Sequence, residues 1–411
     1  MANTLATPTW TLREVTRRFE NSVKFISNVN RSLSDEYVQG GAKVGNTVNA
    51  RLPQRYVANH GQALQVQALY DRTVPVTLND QVNIGWSYSS QQATTELQDI
   101  RERYVNPAAD TLANECDKAA FANLYYQVYQ SVGTPGTTPS SNLTYLQGSV
   151  KITDMAGAQD GRRAILDPMA MITLVNANST IFNPAAAISE QYKSGMFGRG
   201  ALGIAEWYQD QNVPIHTTGT FTASTPLVKG ASQTGAVLIT DGWASSAATL
   251  LKGDIFTIAG VYSWNPLSQK STGRLQQFVV TADTTSVGVD MATLPIAPSI
   301  ITSGALQTVS NSPANDAVIT VWAANPAGGT LATTVSPQSM IYLPDAFAWV
   351  SADLEKPEGG ADCVRVRSSQ FGVSIRMVKQ YQIGTDQNPS RLDILKGEAC
   401  IRPEFASRVV G

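Results

Sequence analysis

Few of this chain's side chains are of the kinds that do chemistry. Two of its 411 residues are histidine, His60 and His216, and three are cysteine, Cys116, Cys363 and Cys400. The cysteines lie far apart with no CxxC spacing, so they offer neither a disulfide framework nor a zinc ligand set. They read as reduced thiols of a chain made in a cytosol. His60 falls in a polar stretch and His216 follows Pro214; neither has a Ser/Asp constellation or a second metal ligand nearby, which leaves no zinc site or histidine-based triad to expect. No GxSxG and no Walker A sequence occurs. Charge is scarce too: 15% of residues are Asp, Glu, Lys or Arg, against roughly a quarter in ordinary soluble domains. With a net charge of −2 the chain has no basic field to hold nucleic acid by counterion release. No apolar run approaches the roughly 18 residues of a membrane span. Met1–Trp10 has no basic n-region or apolar h-region, so no secretory signal is expected.

What is present is patterned. At 411 residues the chain calls for two or three domains. Near the N-terminus Leu12, Val15, Phe19, Val23 and Ile26 recur at steps of three and four, the stripe of an amphipathic helix, with Thr11 and Glu14 at capping-box spacing. Its other face carries Arg13, Arg17, Arg18, Glu20 and Lys24. Val44–Arg55 and Val74–Tyr88 alternate like two long strands, demoted to edges by Pro53 and Pro75. Between them lies the Gln-rich Tyr56–Thr73. A hairpin with so little apolar support is unstable alone and must lie on something else. Asn106–Pro107 opens a helical text to Ser131, in which Leu112, Cys116, Ala120, Leu124 and Val128 recur every four residues. Residues 151–220 read as α/β, with helices near Thr153–Gln159 and Ala170–Asn176 and strands at Ala164–Leu166 and Ile204–Tyr208.

At Thr222 the composition shifts. Only nine charged residues occur from there to Gln338, and short β patterns recur at Ala236–Thr240, Ile255–Ala259, Gln277–Thr281, Val287–Asp290 and Ala317–Trp322. A separate β-barrel or sandwich inserted into a host domain fits that text. Val373, Ile375 and Met377 then alternate with Ser374 and Arg376, a polar Gly384–Ser390 turn follows, and Arg391–Leu395 alternates again, with Gly397 punctuating the run. This is a strand–turn–strand closure with arginines and carboxylates expected on an exposed face. Gly198–Gly203 (GRGALG) has dinucleotide-fingerprint spacing, but a helix-like stretch precedes it and a strand-like one follows. That context is reversed, so no nucleotide site is expected. Asp353, Glu355 and Glu358 read as a solvated loop.

Four motifs, Arg162–Pro168 (RRAILDP), Lys252–Val261 (KGDIFTIAGV), Tyr342–Leu354 (YLPDAFAWVSADL) and Arg391–Gly397 (RLDILKG), stand in an order that resembles tailed-bacteriophage major capsid proteins. Lys252–Val261 is similar to a run in the inserted domain of the coat protein family of short-tailed Salmonella phages. The resemblance implies an α+β tailed-phage capsid (Johnson) fold. Its parts would be an N-terminal arm (1–43), an extended loop hairpin with flanking strands (44–90), and a peripheral domain (91–150) with a spine helix at 106–131. An apical domain (151–221 and 339–370), an inserted β-barrel (222–338) and closing strands of the peripheral domain (371–411) would complete it.

The implied function is a major capsid protein that self-assembles as pentamers and hexamers around double-stranded DNA, without sequence-specific binding. It has no catalytic residue, cofactor, metal or membrane. Expected partners are copies of the chain itself, a scaffolding protein, a portal protein and a decoration protein, in a virion assembled in the bacterial cytoplasm. Leu64, Val66, Leu69 and Tyr70 are the candidate intersubunit contacts, and Arg13, Arg17 and Arg18 the candidate contacts to scaffold or neighbour. No lysine lies between Lys43 and Lys118, so the hairpin cannot use the lysine–asparagine isopeptide that welds some shells of this fold. Two other readings are a prokaryotic nanocompartment shell of the same fold, which usually lacks an inserted β-domain, and a β-rich binding or adhesin module, which would need an export signal.

Overall fold

The structure is a computed structural model. It describes all residues except 1–7, 38–44, 63, 96–100, 178–199, 221–224, 244–247, 323–332, 358–361 and 369–370. The helices are α1 (Pro8–Ser22), α2 (Ser90–Thr95), α3 (Asn106–Leu124), α4 (Asn142–Asp154) and α5 (Pro168–Ala177). The first seven strands are β1 (Thr47–Arg51), β2 (Thr73–Thr77), β3 (Asp80–Trp86), β4 (Ser131–Gly133), β5 (Arg163–Leu166), β6 (Glu206–Gln209) and β7 (Ile215–Thr217). Next come β8 (Leu227–Val228), β9 (Gly235–Asp241), β10 (Thr249–Leu250), β11 (Ile255–Asn265), β12 (Lys270–Val280), β13 (Thr284–Thr285), β14 (Met291–Ile300) and β15 (Ile319–Val321). The last six are β16 (Val335–Tyr342), β17 (Phe347–Ala352), β18 (Asp362–Arg367), β19 (Ser374–Lys379), β20 (Ser390–Cys400) and β21 (Ala406–Val410). The chain is of the mixed α+β class. It divides into two compact units, Met1–Leu52 with Thr73–Phe121 and Phe347–Ile401, and Pro53–Arg72 with Ala122–Ala346 and Arg402–Gly411.

In the first unit the apolar stripe of α1 does what its spacing demands: Leu12, Val15, Phe19, Val23 and Ile26 are all buried. The helix begins at Pro8, so Thr11 and Glu14 lie inside it and form no capping box. After α1 the chain turns into a short 3-10 helix, Ile26–Asn28, whose exposed backbone donors are met by a carboxylate of α3. Asp117 accepts from the amides of Lys24 (3.1 Å), Phe25 (3.1 Å) and Ile26 (2.8 Å). Phe25 stacks on Phe121 with ring centroids 4.6 Å apart and meets Phe347 at 5.6 Å.

A five-stranded sheet in the order β17-β20-β19-β18, with β3 also on β20, completes this unit. Its long central strand β20 pairs with β19 through its first residues and with β17 through its last. Gly397 does not interrupt the strand as its sequence suggested. It is glycine because a Cβ there would sit 2.2 Å from the carbonyl oxygen of Thr77 in β2. The expected exposed face is also partly wrong, because Asp393 is buried between Arg376 (2.6 Å) and Arg391. Lys396 is fully buried between Asp80 (2.9 Å) and Glu398 (3.1 Å). Burial pulls its pKa down, but Glu398 and Asp80 together overcome it and hold it above the usual lysine value.

The second unit contains a sheet in the order β4-β21-β16-β5-β6, with β7 also on β16. Helices α4 and α5 cover it around Tyr145, Ile152, Met171, Leu174 and Trp207. Arg162 of the RRAILDP motif is buried at the end of α4, where it donates to the carbonyls of Ser149 (2.8 Å) and Ala158 (2.8 Å) and to Thr153 Oγ1 (2.8 Å). A cation here meets the negative end of the helix.

A further sheet of this unit runs β15-β11-β12-β14-β9-β8. It closes on itself because Leu227 of β8 bridges Val318, beside β15, and Val228 donates to the carbonyl of Ala317 at 3.0 Å. Closure removes the open edges of a sheet. The interior is filled by Leu238, Trp243, Phe256, Phe278, Val280 and Leu294.

Several expectations fail locally. The spine helix ends at Leu124 rather than Ser131, giving way to a 3-10 turn, Tyr125–Gln127, before β4. At its other end α3 follows directly on a π-helical turn, Arg101–Val105, so Asn106 does not open a separate helix. The helix sought at Thr153–Gln159 is α4, which starts eleven residues earlier and is capped by Ser141 accepting from the Leu143 amide. Val74–Tyr88 is two strands, β2 on β1 and β3 on β20. The division of the chain also differs from that expected. β17 and β18 lie in the first unit because β17 pairs with β20, and β21 lies in the second because it pairs with β4 and β16.

Candidate functional site: an exposed loop, a basic arm and a polar joint

The described residues of the stretch 53–72 of the second unit form no strand. Pro53 lacks the N–H needed to carry β1 onward, and past it the two legs are bridged by glutamine side chains instead of a ladder. Gln67 accepts from the amide of Val57 at 2.9 Å and returns a bond to its carbonyl, and Gln54 accepts from the amide of Tyr70 at 3.2 Å. At the root, Arg55 pairs with Glu404 at 2.9 Å. The four apolar residues singled out from the sequence all lie exposed on this one loop: Leu64 is 88% exposed, Val66 87%, Leu69 75% and Tyr70 59%. Nothing within the unit covers them to any depth. Burying each would contribute roughly 1.5–3 kcal/mol before ordering entropy is subtracted.

The basic arm of the first unit is less free than its sequence implied. Arg18 pairs with Asp110 of α3 at 2.8 Å, and that hydrogen bond raises its pKa. Arg17 pairs along the helix with Glu14 at 2.8 Å. Arg13 and Lys24 are exposed. The second unit shows two helix surfaces that sequence reading missed. Leu143, Leu146 and Val150 form an exposed stripe on α4, and Met169 and Ile172 are exposed on α5. The α4 stripe has helical spacing, with Leu143, Leu146 and Val150 at steps of three and four.

The KGD motif builds a polar joint between the barrel and the sheet below it. Lys252 stacks over the ring of Tyr126 at 3.5 Å. Gly253 has φ +101°, and a Cβ there would press on His216 and Tyr126; its carbonyl accepts from Arg408 Nη2 at 2.9 Å. Asp254 is buried, with Oδ1 2.9 Å from His216 Nε2 and Oδ2 accepting from the amides of Gly219 (3.0 Å) and Leu251 (2.8 Å). The Tyr125 hydroxyl lies 3.2 Å from His216 Nδ1. The sequence reading found no acidic partner for His216; the fold supplies Asp254, 38 positions away. Alongside, Gln277 of β12 exchanges two bonds of 2.9 Å with the backbone of Ser131 in β4. The adjoining space of about 20 Å³ admits a water-sized group and no organic substrate. His60 sits exposed on the 53–72 loop. Gly200–Gly203 forms a turn into β6, while the helix-like stretch before it lies outside the described residues. Among the described residues no three His, Cys, Asp or Glu side chains gather as a metal site, and no helix is long and apolar enough to cross a membrane.

Comparison with known proteins adds the following. The family described as P22 coat protein, gene protein 5, matches residues 2–410. Among solved structures, one from Mycobacterium phage Che8 is similar at 11% identity and TM-score 0.48, covering 94% of this chain and 90% of that one. The capsid of Ralstonia phage GP4 is similar at 9% identity and TM-score 0.43, with coverage of 95% and 87%. The CUS-3 coat protein I-domain is similar at 26% identity over 24% of this chain and 96% of its own length, with TM-score 0.19. No curated protein sequence matches significantly.

Proposed function

The chain belongs to the P22 coat protein family and is a bacteriophage major capsid protein, a component of the virion that assembles with copies of itself; we propose that it does so as pentamers and hexamers, forming an icosahedral wall around double-stranded DNA. The observation that carries the finer reading is the 53–72 loop, with four large apolar side chains held in water by a frame of glutamine bonds. Such a loop gains most by lying across an adjacent subunit, and repetition around every capsomer multiplies a small net gain per contact. The near-neutral charge suits a wall that encloses nucleic acid without gripping it. A scaffolding protein would guide assembly in the bacterial cytoplasm, the exposed Arg13 and the weakly paired Arg17 and Arg18 of α1 offering it a basic face. A portal protein at one vertex and a decoration protein outside belong to the same reading. Residues 222–338 act in it as an inserted domain.

The test is co-expression of the full chain with its scaffolding protein, followed by electron microscopy and sedimentation. Closed shells are expected. The double substitution Leu64→Ser with Leu69→Ser should leave the monomer folded but lower shell yield and heat resistance. Shells of the double variant as abundant and as heat-resistant as those of the parent would remove the loop from this role. A chain that stays monomeric at all concentrations, with and without scaffold, would remove the assembly reading itself.

A further inference from the structure

Three residues that line one small cavity of the polar joint carry buried polar atoms without a hydrogen-bond partner among the described residues. That cavity, of about 20 Å³, is lined by Ser131, Asp254, Trp322, Gln338 and Arg408 among others. Several acceptors around it are already engaged. Asp254 Oδ1 serves His216, and Oδ2 serves the amides of Gly219 and Leu251. The carbonyl of Gly253 and Oε1 of Gln338 both serve Arg408, at 2.9 and 3.4 Å. Three donors are not taken. The Nε–H of Arg408, the indole N–H of Trp322 and the hydroxyl of Ser131 are each buried without a partner among the described residues. Buried donors are nearly always satisfied in folded proteins, by protein or by ordered solvent. A space above roughly 10–15 Å³ with two to four polar neighbours suffices for one water.

The three groups also come from different places. Ser131 stands on β4 and Arg408 on β21, while Trp322 follows β15 of the barrel. A single atom accepting from all three would therefore join the barrel to two strands of the sheet. Arg408 is fully buried, and its guanidinium donates to the neutral acceptors of Gln338 and Gly253. Burial pulls its pKa down to about 10, against the opposing pull of Tyr125 and Asp254. A guanidinium in that condition favours an electron-rich neighbour.

We propose that this cavity binds one hydrogen-bond acceptor of water size, a water oxygen or a halide ion, which takes the donors of Arg408, Trp322 and Ser131 and fixes the barrel on its base. The two occupants share the same chemistry and come from different sources. The site needs no particular assembly state, so it stands apart from the shell reading.

Two measurements decide it. A density map of the full chain, in particles or crystals and fine enough to show ordered water, should contain a peak within hydrogen-bond distance of Arg408 Nε, Trp322 Nε1 and Ser131 Oγ. Thermal unfolding of the full chain is then compared in potassium chloride, bromide and gluconate at equal ionic strength. A peak with a saturable, halide-specific rise in the unfolding midpoint identifies a halide. That rise should vanish in Trp322→Phe, which keeps an aromatic side chain and drops the donor. A peak with no halide dependence identifies water. A map showing no peak, with the three donors bonded directly to protein acceptors, overturns the proposal.

Discussion

Replacing Asp117 by alanine should release the chain that follows α1 from α3. The carboxylate accepts from three consecutive amides, those of Lys24, Phe25 and Ile26, at 2.8–3.1 Å. Phe25 and Ile26 are fully buried, so in the alanine variant their amides would have no water to turn to. Each buried orphan donor costs about 1–3 kcal/mol. Lys24 is exposed and can recover part of its loss from solvent. The expected sum is about 3–5 kcal/mol, a large share of the roughly 5–15 kcal/mol that holds a typical domain together. Asp117→Asn keeps one acceptor and should lose less, about 1–2 kcal/mol. Urea unfolding of the unassembled chain, followed by the emission of tryptophans including buried Trp349, measures the loss. Hydrogen exchange at Phe25 and Ile26 localises it. If Asp117→Ala costs under about 1 kcal/mol, or if those two amides stay protected, the carboxylate does not anchor the arm.

Three further outcomes are expected. Lys396→Met removes the buried cation between Asp80 and Glu398 and should cost about 3–5 kcal/mol. Because the folded pKa of Lys396 is raised, its contribution is complete below the unfolded value of about 10.4 and is lost as pH climbs through the folded one. An alkaline melt series should show that loss in the parent and not in the methionine variant; a parallel decline in both would refute the assignment. Gly397→Ala drives a methyl into the Thr77 carbonyl and should destabilise by about 3 kcal/mol, so an unchanged melting temperature would show that β2 and β20 can separate freely. Residues 222–338 expressed alone should give a dispersed β-type NMR spectrum and a cooperative melt, since Val228 through Val321 contribute an apolar cluster of their own; a collapsed, featureless spectrum would deny them independence.

Periodicity made the helix stripe of α1 and the alternation of β19 and β20 legible, because those patterns are local and their buried faces are continuous. Boundaries were harder. The helix sought from Thr153 starts at Asn142 and runs through Gly148, where a Cβ would come within 3.0 Å of Ile341 Cδ1. Gly397 looked like a stop and marks a close backbone approach instead. The apolar residues of the 53–72 loop could be picked out because they stand in polar text with no period to bury them. The joint could not be picked out. His216, Asp254 and Arg408 come from β7, the start of β11 and β21, and only the fold brings them together. Charge counting failed at Asp393 and Lys396 because a charged residue in an alternating strand looks exposed until its partners are known.

The position of β21 between β4 and β16 sets the order of events during synthesis. Its residues pair with Ser131–Gly133 on one side and with Gln338–Tyr342 on the other. At about 5–20 residues per second, β4 leaves the ribosome on the order of 15–55 s before the strand that must lie beside it. The central strand β20 imposes a similar delay on β3. Neither sheet can close before residues 390–410 have been made, and such distant pairings fold slowly. The nascent subunit thus presents incomplete sheets until those strands emerge. Polysomes crowded with copies of one coat chain would then carry subunits too unfinished to join one another, and completion of these two strands becomes the starting signal for joining.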